Sequence, residues 1–346
     1  MKKVLKILIS GLLLTVMIFI SPLNAAALQS GQVKTVGDKG QARIETQELR
    51  AVWFSFKDWQ KYLKGKNEQE FKAAFSSVCE NSLKQGLNTI IVHVRSHNDA
   101  AYPSSCYPWS DEMTGGDPGY DPLLIITDTA HAYGLKVHAW INPYGYRNGS
   151  YSGEQSLATK ENIILGIREI LDKYPVDGIH FDDYFPPLGA SVHNELLKEV
   201  CATVRNYNKV FGVSPQGNID NNIAAGADIN TWLSSNEYMD YICPQIYWSD
   251  VYGKNGNVTM YSDRLSSWIS LNRANVDMYI GLAAYRVGEN SKTDLGWSRK
   301  NDNLSTQITK LRNSGCKGYI LFSYSSIVSP ACQDEMQSVR SVNNQQ

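Results

Sequence analysis

Little in this 346-residue chain points to nucleotides, thiol chemistry or a charged polymer as partner. Neither a GxGxxG nor a GxxxxGK[ST] turn is present, which argues against dinucleotide and P-loop sites. The six cysteines (Cys79, Cys106, Cys201, Cys243, Cys316, Cys332) are scattered without a CxxC pair, so zinc knuckles and thioredoxin-type redox chemistry are not expected. Most sit in apolar contexts, as buried thiols do; export would permit a disulfide, but the spacing names no pairing. The helical zinc signature HExxH is missing as well. His93, His97, His138 and His180 fall on or beside apolar strands, where hydrogen-bonded core histidines are common. No metal ligand set and no cofactor is therefore expected. Net charge is also lacking: the formal value is −1, and −4 without Lys2, Lys3 and Lys6, so neither nucleic acid nor anionic lipid is an expected partner.

What is present begins with a leader. Those three lysines, an apolar run over 7–20 and Ala25-Ala26-Ala27 predict a secretory signal peptide over residues 1–27. The run is short for a membrane span of about 20 residues, so no stable membrane association is expected after cleavage. No Cys lies at the cleavage site, which argues against a lipoprotein. Residues 28–47 are polar and read as a flexible linker. The remainder, 48–342, is long enough for one large domain. The expected product is a monomer, secreted or associated with the cell wall.

From Arg50 onward, short apolar strands alternate with amphipathic helices. Strands are expected at 50–55, 89–95, 136–142, 176–187, 210–215, 241–247, 278–285 and 318–324. Helices are expected over 69–85, 123–133, 155–173, 192–208, 229–235, 260–272, 301–313 and 333–339. Eight strand–helix units predict an α/β fold, a single-domain (β/α)8 TIM barrel, with its chemistry at the C-terminal strand ends. Those ends carry Ser55, Arg95, Asn142, Asp182 with Asp183, Gln216, Gln245 with Tyr247, Tyr285 with Arg286, and Tyr324.

The stretch Val176 to Pro187 is the most informative. Strand alternation puts His180, Asp182 and Tyr184 on the inward face, and turns Asp183 toward the following loop. Glycoside hydrolysis needs a positive transition state stabilised and a leaving oxygen protonated, hence two acids. Asp182 is the expected nucleophile or charge stabiliser; Asp183 is either a second acid or a ligand of loop amides. Asp99, shortly after Arg95, is the preferred proton donor from another loop, with Glu112, Glu154, Asp250 and Glu289 in further loops. Asp177 and Asp240 lie at strand starts and are assigned to stability. Arg95 suits a sugar carboxylate, or else locks Asp99 or Asp182. With twenty Tyr and eight Trp in the chain, stacking partners for sugar rings are at hand in Trp140, Tyr144, Tyr247, Trp248 and Tyr285.

DGIHFDDY is similar to the fourth-strand pattern of chitinase-like enzymes, matching it at Asp177, Gly178 and Asp182. His180 replaces an acid, and Tyr184 stands where the catalytic Glu would be. Gln245-Ile246-Tyr247 resembles the end of their sixth strand. That resemblance implies attack by the substrate's own N-acetyl group, held by Asp182 and Tyr247. More broadly, ELRAVWFS, HVRSHNDAAYPSS, GYDPL, HAWINPY, VDGIHFDDYF, DYICPQIYW, IGLAAY and LFSYSS together look like the family 10-like glycosyl hydrolases. The resemblance runs from about Glu48 to Ser326. It implies an exported barrel acting on bacterial glycans, with peptide-free peptidoglycan strands as the expected polysaccharide partner. Pro215-Gln216-Gly217 departs from the family's Pro-Phe-Gly, which affects a neighbouring subsite. The alternatives are a non-catalytic glycan-binding barrel and a metal-dependent polysaccharide deacetylase.

Overall fold

The computed structural model describes residues 47–299 and 301–344, so the predicted leader and all but the last residue of the linker lie outside them. From Gln47 onward the chain forms one compact unit. Its strands are β1 (Leu49–Phe54), β2 (Thr89–Arg95), β3 (Lys136–Ile141), a short hairpin of β4 (Tyr146–Arg147) and β5 (Ser150–Tyr151), then β6 (Gly178–Phe181), β7 (Val210–Val213), β8 (Tyr241–Ile242), β9 (Asp277–Leu282) and β10 (Gly318–Phe322). All but the hairpin pair in parallel as a closed eight-strand barrel in the order β1-β10-β9-β8-β7-β6-β3-β2, with helices between successive strands. The strands are largely buried on both faces because helices cover the outside and side chains fill the inside. No helix among the described residues is long and apolar enough to cross a membrane.

Alternation along β1 shows the two layers. Val52 and Phe54 pack outward with the helices, while Ala51 and Trp53 join Ile91, Trp140, Tyr241, Cys243 and Ile320 in a separate interior cluster. Space for the large interior rings comes from glycine. A Cβ on Gly212 would lie 2.0 Å from the Tyr241 ring. All six cysteines are free thiols.

Several strands are shorter than their apolar runs. The expected strand over 241–247 ends at Ile242, because Pro244 has no N–H to give the ladder. Gln245 still bridges Gln216 on one side and Gly281 on the other. The seventh barrel strand stops at Leu282, and Ala284–Arg286 form a 3-10 turn. The helix expected over 155–173 splits into a 3-10 turn at Gln155–Leu157 and a helix at Lys160–Lys173, whose start is capped by the Thr159 hydroxyl. The helix expected over 229–235 is a single turn, Ile229–Trp232.

At the N-terminal end of the barrel, carboxylates serve the backbone. Asp177 accepts from the Val137 amide and sits 2.9 Å from His131 Nε2. Asp240 accepts from the Phe211 amide and from Arg205. These are stabilising roles, at the end away from the cleft.

Candidate active site

At the C-terminal end the strands open into a cleft of about 320 Å³. Asp182 and Asp183 both line it, with Tyr184, Gln245, Tyr247 and Tyr285. The placement of Asp183 departs from the alternation argument. β6 ends at Phe181, so the two-residue period no longer applies beyond it. The Asp182 amide still donates to Ile141 O at 3.1 Å, which holds it at the edge of the barrel. Its Oδ1 then accepts from the Asp183 amide at 2.9 Å, a tight turn that brings the second carboxyl to the same cleft.

The two carboxyls are close enough to affect each other's charge, and they cannot both be charged cheaply. Burial raises the Asp182 carboxyl above its usual range, while the hydrogen bond from Asp183 and the charge of Arg147 work against the rise. Asp183 is pushed further, well above the usual range, by burial and then by the Asp182 charge. Both carboxyls are thus raised, and the pair favours one proton over two charges. The Gln245 amide lies within reach of Asp183 and also donates to Ser214 O at 2.9 Å. The Trp140 indole N–H approaches Asp182 without closing a well-formed hydrogen bond.

Below the pair runs a buried polar ladder. Trp53 Nε1 donates to His180 Nε2 at 3.1 Å, and indole N–H is only a donor. Burial holds His180 far below its ordinary protonation range, so it is neutral with its proton on Nδ1. That proton goes to Tyr241 Oη at 2.8 Å, leaving the phenol to donate to His138 Nδ1 at 2.9 Å. Burial lowers His138 to about 4. The histidine standing in the place of an acid thus neither charges nor touches the carboxyl pair; it anchors the interior rings. His93 stacks on Trp140 at 3.8 Å and is likewise held neutral by burial. Among the described residues no three His, Cys, Asp or Glu side chains gather as a metal site would require.

One wall is aromatic. Tyr247, Tyr285 and Phe322 meet pairwise with ring centroids 5.7–6.1 Å apart, and Tyr285 remains 51% exposed. Among the described residues the Tyr247 hydroxyl has no hydrogen-bond partner. Arg286 stands behind this wall: its Nη1 donates to Tyr247 O at 2.9 Å and to buried Asp294 at 2.8 Å, and its Nε to Glu289.

Other expected site residues lie away from the cleft. Arg95 is wholly buried, with its guanidinium 3.4 Å from the centroid of the Tyr107 ring. Asn142 is buried and donates to Tyr146 O; Tyr144 is buried and pairs with His193. Asp99 accepts from the His97 amide and does not line the cleft, so it is not placed to protonate a leaving group there. Gln216 is tied to Asn222, Trp248 accepts through its carbonyl from Gln307, and the buried Tyr324 accepts from Asn81.

Conversely, Trp53, Ser55, Phe56, Lys57, Trp140, Arg147, Ser214, Phe322, Ser323 and Ser325 line the cleft. Ser55 and Trp140 were among the strand-end and stacking candidates; of the others, Arg147 had a readable signal. Asn148-Gly149 between Tyr146 and Tyr151 is a two-residue hairpin turn, and both residues adopt positive φ (50° and 85°). The β4–β5 hairpin it makes carries Arg147 to the cleft. Ser55 follows β1 and caps the next helix through a reciprocal pair of bonds with Asp58. Asp58 also accepts from the Ser325 amide at 2.9 Å, joining two stretches that line the cleft.

The model of a family described as glycosyl hydrolase-like 10 matches residues 48–157 and 190–299. The carboxyl pair falls between these segments. Glycosyl hydrolase YngK of Bacillus subtilis is 31% identical, with the match covering 72% of this chain and 63% of that protein. Glycosyl hydrolase DigH of Escherichia coli is 30% identical, over 61% of this chain and 65% of its own. The chain thus spans slightly under two thirds of these relatives. A solved group IV chitinase of Ostrinia furnacalis shares the fold at 12% identity, with a TM-score of 0.59 over 86% of this chain and all of that one.

Proposed function

The chain belongs to the glycosyl hydrolase-like 10 family, and from that premise we propose that its cleft hydrolyses glycosidic bonds in an N-acetylated, muramyl-containing bacterial polysaccharide. The observation that carries this reading is the Asp182–Asp183 pair, a buried and a half-buried carboxyl brought to one cleft by a tight turn. Two acids acting from opposite sides of a bond need about 5 Å or more between them, whereas these two are chain neighbours joined by a tight turn. The geometry favours a substrate-assisted route instead. The sugar's N-acetyl oxygen attacks the anomeric carbon, Asp182 stabilises the cationic ring that forms, and Asp183 gives its proton to the leaving oxygen. Water then opens the ring and returns a proton to Asp183, so the pair ends as it began. Tyr247, with its hydroxyl unused among the described residues, is suited to hold the N-acetyl carbonyl. Tyr285 offers an exposed face to an adjacent sugar.

Leaving-group dependence tests the two roles. On peptide-free glycan strands, both Asp182→Asn and Asp183→Asn should lower the release of reducing ends by about 10²–10⁴-fold, the usual worth of a positioned acid or base. On an aryl N-acetylglucosaminide, whose leaving group needs no proton, Asp183→Asn should recover most activity while Asp182→Asn stays impaired. Equal defects on both substrates would remove the donor assignment. A wild-type protein that binds strands but releases no reducing ends would be a glycan-binding barrel.

A further inference from the structure

We propose that Arg147 receives a carboxylate carried by a bound sugar, so that the cleft selects acidic glycans over their neutral counterparts. This deepens the glycosidase reading and rests on it for the location of the sugar. The argument starts from how the guanidinium is held. Several other arginines are fixed by acids: Arg205 by Asp240, Arg286 by Asp294 and Glu289, Arg312 by Glu48. Arg147 is instead held between rings, 4.5 Å from the centroid of Phe56 and 4.9 Å from that of Tyr184. Among the described residues no carboxylate lies within ion-pair distance of it, and its one hydrogen bond is a long one, 3.4 Å to the Tyr184 hydroxyl. Aromatic faces orient a guanidinium without using its N–H donors. The planar fork is therefore positioned in the cleft with most donors unspent, the geometry that accepts a carboxylate through paired bonds.

Two further observations agree. Lys57, exposed and lining the same cleft, is not ion-paired among the described residues, so a second cation adds to the field there. Arg95, the arginine expected from sequence to read a sugar carboxylate, is wholly buried on Tyr107 and cannot meet a substrate. A sugar carboxylate occurs either on the ring, as in a uronate, or on an ether-linked acid side chain, as in a lactyl group.

Calorimetric titration with thio-linked oligosaccharides, which bind without being cut, separates recognition from catalysis. Each acidic oligosaccharide, uronate or lactyl, is paired with its carboxyl-reduced counterpart. The wild-type protein should bind one acidic form about 10- to 100-fold more tightly than its reduced partner, the range of a charge-assisted bond. Arg147→Gln should lose that preference, and Arg147→Lys, which keeps the charge and lacks the fork, should keep part of it; thermal melts check that both are folded. The acidic form that shows the preference tells ring from side-chain carboxylate. Equal binding of acidic and reduced forms by the wild type overturns the proposal, as does a full preference retained by Arg147→Gln. Carboxylate-selective binding without cleavage of the natural strands would overturn the glycosidase reading and leave the role of Arg147 standing.

Discussion

At the scale of single residues, Asp182 and Asp183 place two acids against each other at the floor of a cleft, and the fold bears the cost. Because burial and the Asp182 charge raise the Asp183 carboxyl well above its unfolded value of 3.8, folding stability falls as pH rises from 3.8 toward the raised folded value. Asp183→Asn removes that penalty. Its melting temperature should exceed the wild type's near neutral pH, with the gap closing as pH approaches 3.8, as scanning calorimetry across pH would show. A gap that persists in acid would mean the gain comes from packing. Natural chains keep such strain where chemistry needs it. Asp182 was readable from the sequence, since its amide still bonds Ile141 O and carries the alternation one residue past Phe181. Asp183 was not, because its direction depends on a turn made after the strand has ended.

Among elements, the short strands matter more for what they let through than for their own length. β7 and β8 pair with Gly212 opposite Tyr241, and the missing side chain makes room for the phenol that bridges His138 and His180. Gly212→Ala forces a Cβ to 2.0 Å from that ring, so the ring must move or the strands must part. The expected loss is about 1–3 kcal/mol, as for other overpacked cores, measured by urea denaturation. Since Trp53 and Trp140 share the interior cluster with Tyr241, indole fluorescence should change as well. A variant of unchanged stability would show that the interior yields more easily than its packing implies. The β4–β5 hairpin is the opposite case, two residues per strand and outside the barrel, yet it delivers Arg147. Its Asn148-Gly149 turn was visible in the sequence, whereas its position over the cleft was not.

For the whole molecule, closure depends on joining the first strand to the last helices. Glu48, just before β1, accepts from Arg50 and takes two bonds from Arg312, whose Nη atoms also reach Val342 O and Asn343. Asn343 in turn bonds the Tyr319 hydroxyl on β10. Burial alone would raise the Glu48 carboxyl, but the two guanidiniums outweigh it and the net shift is downward. A depressed carboxyl stabilises the fold above its unfolded value of 4.5 and loses that contribution as pH falls through the lower folded value. Glu48→Gln should therefore be less stable than the wild type at neutral pH by about 1–3 kcal/mol, with the difference vanishing in acid, as chemical denaturation at several pH values would measure. A difference independent of pH would point to lost packing.

Hydrophobic periodicity and strand count determined the barrel, because a run of short apolar strands each followed by an amphipathic helix has few other ways to bury both faces. The same reasoning located Asp182, Gln245, Tyr247 and Tyr285 at the mouth, since strand ends converge there. Tertiary structure decided which strand-end residues face the cleft. Arg95 and Asn142 turn into the packing around the barrel, Tyr144 packs on Phe185 and His193, Tyr324 packs on Phe54 and Tyr62, and Asp99 bonds within its own loop. Arg147 and Asp183 enter instead. The physical reason is that alternation governs direction only while the ladder of backbone hydrogen bonds continues. Beyond the last rung, each side chain points where its turn and its neighbours' volumes allow, and those depend on contacts far away in sequence.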